Sequence, residues 1–94
     1  VTPAEATAEL LRVNEELRTA IDALPIIAST HDRKRAKTFA DLIASGESTT
    51  SAREWAANHC LDESFDLGRA KALVESLRER QALLVFLLDH DLLA

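Results

Sequence analysis

An all-α fold is predicted by three features of this sequence. Only two glycines and two prolines occur in 94 residues, so little punctuates the chain. Leucine and alanine, both strong helix formers, dominate it. Apolar residues recur at three- and four-residue spacing instead of alternating. The clearest stretch runs from Ser51 to Leu92, with no proline and only Gly68 as an interruption. It reads as one helix of about 40 residues, roughly 60 Å long at 1.5 Å per residue. Such a helix cannot bury itself, so the rest of the chain must cover it.

The first arm is expected over residues 3–44. Thr2-Pro3-Ala4-Glu5 is a helix start, with a capping hydroxyl, a proline at N1 and a glutamate at N3. Leu10, Val13, Leu17, Ala20, Leu24 and Ile27 then form a heptad seam of the coiled-coil kind. Pro25 interrupts the seam, and a proline inside a helix costs about 3 kcal/mol. The first arm is therefore expected to kink or break near Pro25, and Ser29-Thr30-His31-Asp32 offers caps for a fresh start. The pattern resumes at Ala36, Phe39, Ala40 and Ile43 and stops at Gly46, a suitable C′ residue.

A loop is expected over residues 45–50, with Ser51 and Glu54 as a second capping box. The second arm follows over 51–92, weakest between Asn58 and Gly68. Arms of equal length predict an antiparallel helical hairpin. Position then pairs Leu10 with Leu84, Leu17 with Leu77, Ala20 with Val74, Leu24 with Ala70, and Ile27 with Leu67. Phe39 is expected to meet Trp55 near the bend. Residues 1–94 read as a single helical domain.

Charge narrows the function. A net charge of −5 argues against non-specific nucleic-acid binding. One basic segment, Arg33, Lys34, Arg35 and Lys37, stands between acidic stretches. These side chains can contact phosphates, but pairing with Asp62, Glu63 and Asp66 on the opposite arm is the preferred expectation. Cys60 is the lone cysteine, which excludes an intrachain disulfide and reads as a small buried hydrophobe. No signal peptide is expected, the apolar run Ala82–Leu88 is too short for a membrane span, and a reduced cytoplasm is the expected location. His31, His59 and His90 lack the Glu-x-x-His pattern of a helical di-metal site, so no metal or cofactor is expected. Asp89-His90-Asp91 cannot converge, because sequence neighbours on a helix point apart. No catalytic set is legible, and the protein is expected not to be an enzyme.

The run Ala82-Leu83-Leu84-Val85-Phe86-Leu87-Leu88 is apolar around the whole helix. One partner arm hides one face, and each large side chain left in water forfeits about 1.5–3 kcal/mol. Leu83, Leu84, Val85, Phe86, Leu87 and Leu88, with Trp55, are therefore the candidate interface. They point to a homo-oligomer, a dimer first, built as a helical bundle and also able to bind a protein partner of unknown identity. The alternative is a nucleic-acid accessory protein using the basic segment.

The sequence Arg35-Ala36-Lys37, then Phe39, Gly46, Arg53-Glu54 and a leucine- and arginine-rich helix, resembles small helical proteins of unknown function encoded in phages and prophages. The likeness covers about residues 30–90. It departs at the closer spacing of Lys37 and Phe39 and at Pro25. The family has no activity to carry over, so the resemblance implies a setting and carries no site residue.

Overall fold

The computed structural model describes residues 1–92. Helix α1 spans Pro3–Ala44, α2 spans Thr49–His59 and α3 spans Leu61–Asp89, and the described residues contain no strand. The chain is all-α. It divides into two compact units, one of Leu24–Ala70 and one of Val1–Ala23 with the segment from Lys71 onward.

Helix α1 starts where its cap dictates. The Glu5 amide donates to Thr2 Oγ1 at 3.2 Å, and the Thr2 hydroxyl donates to the Glu5 carboxylate. The helix then runs unbroken through Pro25, so of the two expected outcomes, a kink or a break, the break does not occur. Pro25 and Ile21, whose carbonyl loses its i+4 donor, are both exposed, so water can satisfy the freed oxygen. The potential caps at 29–32 go unused. Thr30 Oγ1 instead donates back to the Ile26 carbonyl at 2.9 Å, as a mid-helix threonine does.

The turn after α1 is a Schellman motif. The Gly46 amide donates to Ile43 O and the Glu47 amide to Leu42 O, while Gly46 takes a φ of 93°. That motif ends at Glu47, which leaves Ser48 in place to cap α2, and the Ser51 amide donates to Ser48 Oγ at 3.2 Å. The loop is therefore 45–48, not 45–50. Ser51 lies inside α2 and donates its own hydroxyl to Glu47.

The expected second arm, 51–92 as one helix, is two helices. The Cys60 amide turns back to Ala57 O and the residue sits at φ −107°, ψ 17°, outside helical geometry. The helical pattern resumes at once, with the Ser64 amide donating to Cys60 O at 2.8 Å. Asn58-His59-Cys60 is the poorest helix-forming triplet of this stretch, and the break accompanies full burial of Cys60. Helix α3 ends in a second Schellman motif, with Asp91 at φ 52° and the Leu92 amide on Leu87 O.

In the unit of residues 1–23 and 71 onward, α1 and α3 run antiparallel. Ala6, Val13, Leu17, Val74, Leu77 and Leu84 form the core, with Leu10, Ala20 and Leu88 packed against it. The expected pairs Leu10 with Leu84, Leu17 with Leu77 and Ala20 with Val74 all fall in this cluster. Gln81 donates to Asn14 at 2.6 Å and Arg80 approaches Glu9 at 3.7 Å, on the same register. In the unit of residues 24–70, α1 folds against α2 and the start of α3. The fully buried residues there are Ala52, Ala56 and Cys60, all small.

The two glycines separate backbone from packing effects. A Cβ at Gly68 meets nothing within 4 Å, so Gly68→Ala should stabilise by about 0.5–1 kcal/mol. Gly46→Ala should destabilise by roughly 1–2 kcal/mol, because its backbone is left-handed. Leu17→Ala, in the core, should cost about 2–5 kcal/mol. Urea denaturation of the three variants checks all three signs.

Candidate functional site

The apolar run at the end of α3 divides by face. Leu84 is 3% exposed and belongs to the core, with Leu88 packed on it. Leu84 is thereby closed to a partner, while Leu88 is half-buried. Leu83, Val85 and Phe86 remain 46%, 39% and 49% exposed, and Leu87 is half-buried. Leu83, Phe86 and Leu87 follow i, i+3, i+4 and so share one face, while Val85 lies on the other flank. Phe86 is stacked on His90, ring centroids 4.2 Å apart, and His90 Nδ1 lies 3.0 Å from the Phe86 carbonyl. The outward face at this end of α3 is thus ordered as well as apolar.

Leu11 and Leu73 are also exposed in this unit. A groove of ≈ 590 Å³ runs between the helices beside Leu73, floored by Ala20, Ala23 and Leu77 and rimmed by Glu15 and Glu16. Arg12 bonds both Glu9 and Glu16. The hydrogen bond from Arg12 holds the Glu9 carboxyl below its ordinary value, and Glu9 in turn raises the Arg12 guanidinium.

Trp55 is 52% exposed. Its aromatic contact is edge-on with His59, one turn away, at 6.1 Å. Phe39, the partner expected from the sequence, instead lines a hollow of ≈ 350 Å³ with Asp32, Arg35, Ala36, Arg53 and Ala56. The indole therefore stands as an outward surface of α2, together with exposed Leu61 and Phe65 on α3.

The basic segment is mostly free. Lys34 makes an ion pair with Glu63, the one cross-helix contact of the expected set. Asp66 is taken by Arg69 on its own helix. Among the described residues, Arg33, Arg35 and Lys37 are exposed and make no ion pair. Arg53 shares a hollow with Arg35, a convergence of two helices that sequence spacing did not reveal.

One polar group was also missed. His31 Nε2 lies 2.9 Å from Ser64 Oγ, and its Nδ1 lies 3.1 Å from Asp32 Oδ1. The position-based register set His31 opposite Glu63, one residue away from Ser64. Among the described residues no group of three or more His, Cys, Asp or Glu side chains could hold a metal ion. No described helix is long and apolar enough to cross a membrane. No protein-family model, curated protein or solved structure matches the chain.

The Lys34–Glu63 pair gives a pH dependence with a definite sign. The hydrogen bond from Lys34 lowers the Glu63 carboxyl below 4.5, and the bond to Glu63 raises the Lys34 ammonium above 10.5. Glu63's contribution is complete above pH 4.5 and is lost as pH falls through its depressed value. Lys34's contribution is complete below pH 10.5 and is lost as pH rises through its raised value. Glu63→Gln should therefore remove part of the stability loss seen below pH 4.5, measured by thermal melts across the acid range.

Proposed function

We propose that this protein is an assembly module that acts as a homo-oligomer, a dimer first, burying the outward face of α3 against a second copy. The exposed apolar side chains of one unit support this reading most directly. Leu83, Val85 and Phe86 stand 46%, 39% and 49% exposed, with Leu11 and Leu73 exposed in the same unit. Each large apolar side chain left in water forfeits about 1.5–3 kcal/mol, which a second copy can recover. The sequence resemblance to phage-encoded helical proteins gives this reading a setting and no partner. Binding by burial of a helix face needs no catalytic group.

A second reading rests on the free cations. Arg33, Arg35 and Lys37 are exposed, and Arg53 joins Arg35 beside Phe39. Guanidinium pairs beside an aromatic ring suit a phosphate backbone and an unstacked base. On this reading the protein is a nucleic-acid accessory factor. Lys34, already bonded to Glu63, contributes less than its neighbours. Single-stranded DNA binding that weakens steeply with salt and is lost in Arg35→Glu supports it. Absence of binding at low salt dismisses it.

Light scattering tests the first reading. The unaltered chain should run at a multiple of 10.3 kDa at micromolar concentration. The double variant Leu83→Asp with Phe86→Asp should run as a monomer. A monomer for the unaltered chain at high concentration contradicts the proposal.

A further inference from the structure

Within the unit of residues 24–70, His31 is held at both ring nitrogens. Nδ1 lies 3.1 Å from Asp32 Oδ1 and Nε2 lies 2.9 Å from Ser64 Oγ. A carboxylate can only accept, so the neutral imidazole places its proton on Nδ1. The Nε2 lone pair then faces the Ser64 hydroxyl. This is the order of hydroxyl, imidazole and carboxylate that activates a serine on unrelated folds. The His31 side chain is 12% exposed and Ser64 is exposed. The base is sheltered and the hydroxyl is reachable. The hollow of ≈ 400 Å³ in this unit is lined by Ile26, Ile27, Thr30, Glu63, Asp66 and Arg69, and not by His31 or Ser64 themselves.

We propose that Ser64 is a nucleophile that accepts the acyl group of a carboxylic ester. His31 is its general base and Asp32 a positioning residue. Ser64 Oγ bonds to the carbonyl carbon while its proton passes to His31 Nε2. The bond from that carbon to the leaving oxygen breaks, and Nε2 returns the proton to that oxygen, releasing an alcohol. The product is an ester on Ser64. Water, deprotonated by the same nitrogen, cleaves it and releases the carboxylic acid. This inference does not depend on self-association, because every residue it uses lies within one unit of one chain.

Incubating the full chain with p-nitrophenyl butyrate, followed by peptide mass mapping, tests it. Butyrylation should fall on Ser64 in preference to Ser48 and Ser76 of the same molecules. His31→Gln should slow it by about 100-fold, the usual worth of a general base. Asp32→Ala should slow it and Asp32→Glu should restore it, with helicity by circular dichroism unchanged. Ser64 labelled no faster than Ser48, together with p-nitrophenolate release no faster than in Ser64→Ala, overturns the proposal. A Ser64 rate unchanged in His31→Gln overturns it as well.

Discussion

The constraint behind the rest of this structure is the thinness of a paired-helix layer. Two helices in contact share one seam, and each covers only a stripe of the other. Where α1 meets the second half of α3, that seam holds Val13, Leu17, Val74, Leu77 and Leu84. Where α1 meets α2, it holds Ala52 and Ala56, with Cys60 at the break. The small residues let backbones approach closely but remove little apolar area from water. Large side chains such as Phe65, Leu73 and Phe86 are left outside. A chain of this size is already near the lower limit for a self-sufficient core. Its surplus apolar surface is therefore the most informative property it has.

Polar contacts set alignment more than they set energy. Glu9 with Arg80, Asn14 with Gln81, and Lys34 with Glu63 each join two helices of one unit. The cations Arg80 and Lys34 are about half exposed, where such pairs contribute little. They do penalise a slipped register, because a shift of one residue separates each pair. Apolar burial thus favours association of helices in general, and the polar pairs choose which residues meet. The same division holds on the outward surfaces. Leu83 and Phe86 offer area, whereas Arg33, Arg35 and Lys37 offer charge without a partner.

Much of this was legible in the sequence where one local rule decides the outcome. Thr2 and Pro3 start α1, Gly46 stops it, and the three- and four-residue spacing picks out the core of α1 and α3. The misreadings have a common cause, competition between local options of similar strength. Ser48 and Ser51 both suit an N-cap, and the choice falls to Ser48 because the Schellman turn ends one residue before it. Cys60 breaks the second arm although the apolar pattern runs through it, since periodicity reports faces and not backbone continuity. At Pro25 the kinked or broken arm that the sequence allowed is a continuous helix, because the carbonyl left without a donor belongs to Ile21, an exposed residue. The His31–Ser64 contact escaped a register that was one residue off. The split of the 83–88 run into core and outward faces needed the observed pairing of α1 with α3, which composition alone could not supply.

The central claim is that a second copy supplies burial that the single chain lacks. Its most direct measurement is the urea midpoint of unfolding as a function of protein concentration. Coupled folding and association make the midpoint rise with concentration by mass action. The account predicts such a rise across about a hundredfold range, with light scattering and circular dichroism changing together. A midpoint that stays constant over that range, with cooperative unfolding of a stable monomer, would contradict it.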